Sequence, residues 1–249
     1  MKGRPTHYFR APSPLPAHGR GGRSEKVYQL SKGALLEGDL EPGDKLSVVA
    51  FANQLGCSRV PVMEALKRHE LDGFVSIVPH VGCRVAVPRI NDIRDFFLMF
   101  ARVEALVAAF AAEHRTADDL DVFRRLCGYI DDCSAAAGGP DDRVPEYRRL
   151  NILFHTEIHR MARSPGTSRI AAGLWYWSDF YIKIAFGSLY FSERIRGSHR
   201  RILRAIGDGD AAGACKHVVD QLEMVGAGIV RQLHRRAAGT SGEGMAAPE

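Results

Sequence analysis

VVAFANQLGCSRVPVMEALKRHELDG, residues 48 to 73, is the stretch from which the fold is read. Val48 to Leu55 is apolar at helical spacing, Gly56-Cys57-Ser58 interrupts it, and Pro61 to Asp72 resumes with Val62, Ala65, Leu66 and His69 or Leu71 along one face. Two short amphipathic segments around a glycine-led break predict helix, tight turn, helix. Gly73 ends the second helix, since glycine takes the left-handed conformation there at no steric cost. Upstream, Ser24 to Glu37 places Val27, Leu30, Ala34 and Leu35 at helical spacing with Ser24 as N-cap, and GDLEPGDKL at 38 to 46 breaks that helix. Downstream, FVSIVPHVGCRVAVP at 74 to 88 holds two β-rich runs split by Pro79-His80-Val81-Gly82, the pattern of a two-stranded wing. A helix, a helix-turn-helix and a hairpin together make a winged helix.

From Asn91 onward apolar residues recur at three and four, with almost no strand-like segment. Six helices are expected, at about 92–114, 117–135, 144–163, 166–187, 191–208 and 210–236, separated by Thr116, AAAGGPDD, Ser164-Pro165-Gly166 and Gly207-Asp208-Gly209-Asp210. The expected fold is mainly α, a winged helix-turn-helix followed by an antiparallel helical bundle. The domains are then a disordered basic tail at 1–23, the winged helix at 24–88, an all-helical domain at 89–236 and a second tail at 237–249.

Composition bounds the function. With 249 residues and 45% hydrophobic side chains, the chain has apolar surface enough for two cores. It has no long uncharged apolar run, and MKGRPTHYFRAPSPLPAHGR lacks the apolar segment of a secretory signal, so a cytoplasmic protein without membrane contact is expected. Five scattered cysteines with no C-x-x-C pair indicate neither a disulfide framework nor a cysteine zinc knuckle. The formal charge of +5 sits in the first 23 residues, where Lys2, Arg4, Arg10, Arg20 and Arg23 face no acid; residues 24 to 88 carry seven basic and eight acidic side chains. Bulk charge therefore says little about the folded domains, although a flexible basic arm can add salt-dependent affinity for phosphate. No phosphate-binding glycine loop, nucleophile elbow or paired-carboxylate motif presents itself, and an enzyme is not expected.

The second helix of a helix-turn-helix enters the major groove N-terminus first. Here it begins Ser58-Arg59-Val60-Pro61: Ser58 can cap the helix and donate to phosphate, and Arg59 can span O6 and N7 of guanine with its planar fork. Pro61 suits the first turn, where its missing N–H costs nothing. The whole ordered run resembles the N-terminal domain of the GntR family of bacterial transcription regulators over about 60 residues. The likeness rests on Gly38-x3-Pro42-Gly43, Leu55-Gly56-Cys57-Ser58-Arg59-Val60-Pro61-Val62, Glu64-Ala65-Leu66, Asp72-Gly73 and Gly82. The helical remainder is similar to the FadR-type effector (FCD) domain of that family through Glu104-Ala105-Leu106, Ala111-Ala112-Glu113 and the His199 to Ala211 stretch, so the resemblance runs from 24 to about 235. It implies DNA contacts from Ser58, Arg59, Val60, Pro61, Met63 and Gly82. Lys45, Lys67, Arg68, His80 and the basic tail can compensate where the family's arginine at Val49, threonine at Val60 and arginine at Met63 are missing.

For the helical domain the resemblance implies a pocket in which an aspartate, a histidine four residues later and two more histidines from the last two helices surround a divalent metal. Those positions are Asn151, His155, His199 and Gln221 here, with His217, one turn before Gln221, as a substitute imidazole. Zinc, nickel or manganese at His155 and His199 is one expectation; the other is that these groups hydrogen-bond a water or the ligand. Phe100 stands where the family places an arginine that grips carboxylate effectors, which weakens the case for a dicarboxylate. Trp175, Tyr176, Trp177, Phe180, Tyr181 and Phe186 form an aromatic stripe that suits core or dimer packing, or an apolar or aromatic effector. Tyr181 and Arg196 complete the effector-binding candidates. His155-Thr-Glu157-Ile-His159 is not a zinc-protease signature, because the glutamate must follow the first histidine directly.

The expected protein is thus a homodimeric regulator, a repressor, whose affinity for a double-stranded DNA operator answers to a small-molecule effector. A ligand-binding protein of the same fold with degenerate DNA recognition is the alternative, suggested by Val49 and Met63.

Overall fold

The structure, a computed structural model, describes residues 22–37, 40–78, 82–135, 144–187 and 193–242. The basic tail, His80 and everything after Gly242 lie outside the described residues. The chain divides into two compact units between Arg89 and Ile90.

In the first unit α1 (Arg23–Glu37) packs on α3 (Arg59–Leu71), with α2 (Val48–Leu55) between them in sequence. Ser24 is inside α1 rather than its N-cap, because the helix already begins at Arg23. Ser47 caps α2 by accepting the Ala50 N–H at 3.2 Å. Gly56 ends α2 at φ 61°, the left-handed conformation that turns the chain toward α3. On α3, Pro61, Val62, Ala65, Leu66 and His69 are buried, and Leu71 is 87% exposed, so His69 and not Leu71 completes the apolar face. The wing is β2 (Val75–Val78) paired antiparallel with β3 (Gly82–Val85). The expected two-stranded hairpin has a third member, β1 (Lys45–Leu46), which pairs Lys45 with Arg84 and Leu46 with Cys83, in the sheet order β1-β3-β2.

The second unit is helical throughout its described residues: α4 (Ile90–His114), α5 (Ala117–Ala135), α6 (Val144–Met161), α7 (Pro165–Phe186), α8 (Glu193–Asp208) and α9 (Ala211–Gly242). α9 runs six residues past the expected end at 236, so 237–242 continue the helix. α4 is the axis of the bundle and packs on α6, α7, α8 and above all α9. Gly226 makes that closest approach possible: a Cβ there would lie 2.6 Å from Cβ of Phe97. α8 and α9 are joined through Gly209-Asp210 and pack on each other, an antiparallel helical hairpin. Phe97, Phe100, Phe123, Phe154, Phe180, Ile93, Ile130 and Ile158 fill the core.

Candidate functional site

The groove-reading candidate is the start of α3. Ser58 occupies the N-cap position with an extended backbone, but its side chain makes no capping hydrogen bond, which leaves the hydroxyl for another acceptor or donor. Arg59 follows as the first helical residue and is exposed, as are Ser58 and Lys67. Val60 is 66% and Val49 44% exposed, unusually open for valines. Met63 is half-buried and Pro61 buried, so Pro61 supports the helix start from inside. Lys45 is exposed on β1, and Gly82 opens β3 at φ 114°.

α3 is held to α1 by a contact that sequence reasoning did not find. His69 is fully buried, its Nε2 lies 2.7 Å from Ser31 Oγ and its ring stacks on Tyr28 at 4.5 Å. Ser31 donates its own hydrogen to Val27 O at 2.8 Å and so accepts from the imidazole. Burial lowers the His69 pKa to about 4. Tyr28 donates to Asp72 at 2.7 Å, and the Arg68 guanidinium lies 3.8 Å from the Tyr28 ring centre while pairing with Glu25. Arg68 is thereby occupied within the fold, which weakens its expected role as a compensating phosphate contact.

The second unit gathers the pocket candidates. His155 on α6 and His199 on α8 are 3% and 1% exposed, with ring centres 6.0 Å apart. Burial, then the neighbouring His199 and His159, holds His155 well below the usual histidine range; burial brings His199 down to about 3. Both rings are neutral. His199 Nε2 lies 3.1 Å from Asn151 Oδ1, and because an amide oxygen only accepts, Nε2 carries the hydrogen and Nδ1 the lone pair. The Trp175 ring covers His155 at 4.0 Å and meets Phe100 edge-on at 5.0 Å. Its Nε1 donates to Glu104 Oε1 at 2.9 Å, the same oxygen that His159 Nε2 approaches at 2.9 Å. Glu104, 1% exposed, is therefore paired twice.

Buried polar atoms without a hydrogen-bond partner in this unit include Nδ1 of His155, His199 and His217, Oγ of Ser178 and Oε1 of Gln221; the first unit has His69 Nδ1 and Gln54 Oε1. Ser178 stands three residues after Trp175 on α7, on the same helical face. His199 is ten residues before Gly209 and Gln221 eleven after Asp210, so the α8–α9 hairpin brings them to one level. Folded proteins leave few such atoms, and each calls for a water, a ligand group or a local reason for its burial.

Other candidates fall elsewhere. Tyr181 packs with Phe96, Phe97, Trp177 and Phe180, an aromatic cluster that includes no histidine. Arg196 is on α8, and its side chain lies outside the described residues. Arg102 points outward and pairs with Glu223 at 2.7 Å. The metal expectation is not supported by the donor set. Among the described residues no three His, Cys, Asp or Glu side chains come together as a metal-holding group, so His217 does not complete a trio with His155 and His199. Two imidazoles and two amides do not fit a transition ion, for which neutral amide oxygens are poor donors.

Residues 23–85 match the gntR family of bacterial regulatory proteins, and residues 95–223 match the FCD domain. The chain belongs to the GntR family. It is a transcription regulator and not an enzyme. This regulator is 28% identical to the HTH-type transcriptional regulator McbR of Escherichia coli over 219 residues, covering 84% of this chain and 90% of McbR. It is 25% identical over 178 residues to the "Probable D-xylose utilization operon transcriptional repressor" of Paenarthrobacter nicotinovorans, covering 71% of this chain and 75% of that one. The solved structure of E. coli McbR/YncC superposes with a TM-score of 0.68 at 22% identity, covering 86% of this regulator and 99% of that chain. No described helix of the regulator is long and apolar enough to cross a membrane.

Proposed function

We propose that this GntR-family regulator is a cytoplasmic homodimer that represses transcription from a two-fold DNA operator, and that a small molecule held between α4, α6, α7, α8 and α9 controls its operator affinity. The observation that carries the reading is the number of buried polar atoms without a partner in this domain, on His155, Ser178, His199, His217 and Gln221, against two among the described residues of the winged helix. The effector acts if it binds the operator-competent and operator-incompetent states with different affinity. Arg59, first on α3 and exposed, reads a base edge, with Ser58, Lys67, Lys45 and Gly82 along the backbone path. Repression follows the sense of the relative named a repressor of a D-xylose operon.

The open side chains of Val49 and Val60 favour a second reading, ligand binding with degenerate DNA recognition, because they place apolar groups where polar contacts would supply specificity. Selection of bound fragments from a randomised DNA pool at two salt concentrations separates the two. The regulator is expected to enrich one palindromic motif, and Arg59→Ala to weaken binding to that motif about 100-fold, since each half-site loses roughly 1 to 3 kcal/mol. Unenriched DNA establishes the second reading; a motif bound equally by Arg59→Ala removes α3 from the groove.

A further inference from the structure

We infer that Val60 reads the C5-methyl group of a thymine, so that each operator half-site sets a thymine beside the guanine that Arg59 addresses. The inference rests on the operator reading above and names what α3 selects there.

The helix itself gives Val60 its direction. Val62, Ala65, Leu66 and His69 are buried along one stripe of α3, with Pro61 buried beside them. At about 3.6 residues per turn, the middle of the opposite face falls on Val60, Glu64, Lys67 and Leu71, spaced four, three and four. All four are exposed. Val60 is also the second residue of α3, so it stands on the outward face at the end of the helix that enters the major groove first. A large apolar side chain in that place meets water in the free protein and a base edge in the complex.

The chemistry of valine then selects the base. Its side chain has no hydrogen-bonding atom, so a base edge that presents a donor or acceptor to it loses water and gains no partner. One base group in the major groove is apolar, the thymine C5-methyl. Cytosine and adenine would turn an amino donor toward the valine instead, and uracil lacks the methyl. The branched Cβ of a helical valine holds χ1 in essentially one rotamer, so its methyl groups are presented at little entropic cost. Arg59, the preceding residue, is exposed too, and its planar fork fits O6 and N7 of guanine. The two Cα atoms are one peptide apart, about 3.8 Å, close to the roughly 3.4 Å between stacked bases. Consecutive residues at the start of α3 therefore address neighbouring bases. On this view the exposed valine is a discriminating contact and not the loss of one.

The test starts from the motif that full-length regulator selects from the randomised pool. Each thymine of the motif is replaced singly by uracil, which removes the methyl and keeps the pairing, and the duplexes are titrated by fluorescence anisotropy. One thymine per half-site is expected to respond. Uracil there should weaken the wild type about fourfold in one half-site and about 15-fold in both, the worth of burying one and two methyl groups. Val60→Ser should bind the unmodified motif about as weakly as the wild type binds the doubly substituted one, and should no longer tell thymine from uracil. With a C·G pair at that position, 5-methylcytosine should bind the wild type about fourfold tighter than cytosine and Val60→Ser no tighter. The responding thymine should adjoin the guanine at which 7-deazaguanine weakens the wild type but not Arg59→Ala. The uracil series on the wild type stands without any variant, and circular dichroism checks that Val60→Ser is folded. The inference is overturned if no thymine responds, if the response survives in Val60→Ser, or if the thymine lies away from the guanine of Arg59. A selected motif with no uracil response leaves the operator reading standing and defeats this one; an unenriched pool defeats both.

Discussion

The winged helix and the helical domain both bury neutral histidines, and they use them differently. His69 is fully buried: Nε2 donates to Ser31, the face lies on Tyr28 at 4.5 Å, and Nδ1 has no partner. Its neighbours are in turn tied to Asp72, Glu25 and Arg68, so the ring fastens α1 to α3. His155 and His199 are as deeply buried and, like His69, leave Nδ1 without a partner; around them in sequence Ser178, His217 and Gln221 add further unpaired atoms, against Gln54 alone among the described residues of the winged helix. Burying a polar atom unpaired costs free energy, and a core that selection has shaped for stability alone shows few of them. Burial, a depressed pKa and an unpaired Nδ1 are common to both places; what sets the helical domain apart is that more of its buried polar atoms lack a partner.

The comparison predicts its largest difference under truncation. His69→Ala removes a stacked, hydrogen-bonded ring from between two helices and should lower unfolding stability by about 4 kcal/mol, in the range of buried aromatic truncations. His155→Ala should cost about half as much, because its ring makes no hydrogen bond among the described residues, and His199→Ala should fall between, losing the bond to Asn151. Urea unfolding of the three variants, followed by circular dichroism, checks the order. Equal losses would erase the distinction drawn between the two units.

Protonation tests the burial that both units share, with a smaller effect. Burial lowers the His69 pKa to about 4, below the ordinary histidine value, so the unfolded chain takes up a proton more readily than the folded one. The stability owed to neutral His69 is therefore complete above about pH 6.5 and is lost as pH falls from there toward 4, by on the order of 3 kcal/mol at the bottom of that window. Urea unfolding across that window should show the slope in the wild-type chain and a shallower one in His69→Ala. A variant with an unchanged slope would place the responsible proton elsewhere.

Much of this arrangement was legible beforehand, and the exceptions share a cause. Helices and their breaks follow from local periodicity, and Gly56 and Gly73 mark turns that depend on one residue's backbone freedom. β1 was missed because two residues, Lys45 and Leu46, carry no alternation; only the register with Arg84 and Cys83 makes them a strand. Ser31 with His69, and Glu104 with His159 and Trp175, join residues 38, 55 and 71 apart, and a side chain's partner at that distance has no local signature. Asn151, His155, His199 and Gln221 are legible only through family likeness. Trp175 reads in the sequence only as one member of an aromatic stripe, and Ser178 carries no local signal: its Oγ stands out by the partner it lacks.

That lack gives the smallest and sharpest prediction, a pair of serine substitutions. Ser31 and Ser178 are both buried, at 3% and 1% exposure. Ser31→Ala takes from His69 the acceptor of its Nε2–H and leaves a buried donor stranded, which should cost about 2 kcal/mol. Ser178→Ala removes a hydroxyl without a partner, so no bond is broken and a desolvation penalty disappears; the change should lie within about 0.5 kcal/mol of zero, on either side. A loss at Ser178 as large as that at Ser31 would mean that its hydroxyl is satisfied in solution, and the strongest ground for a ligand space beside Trp175 would go with it.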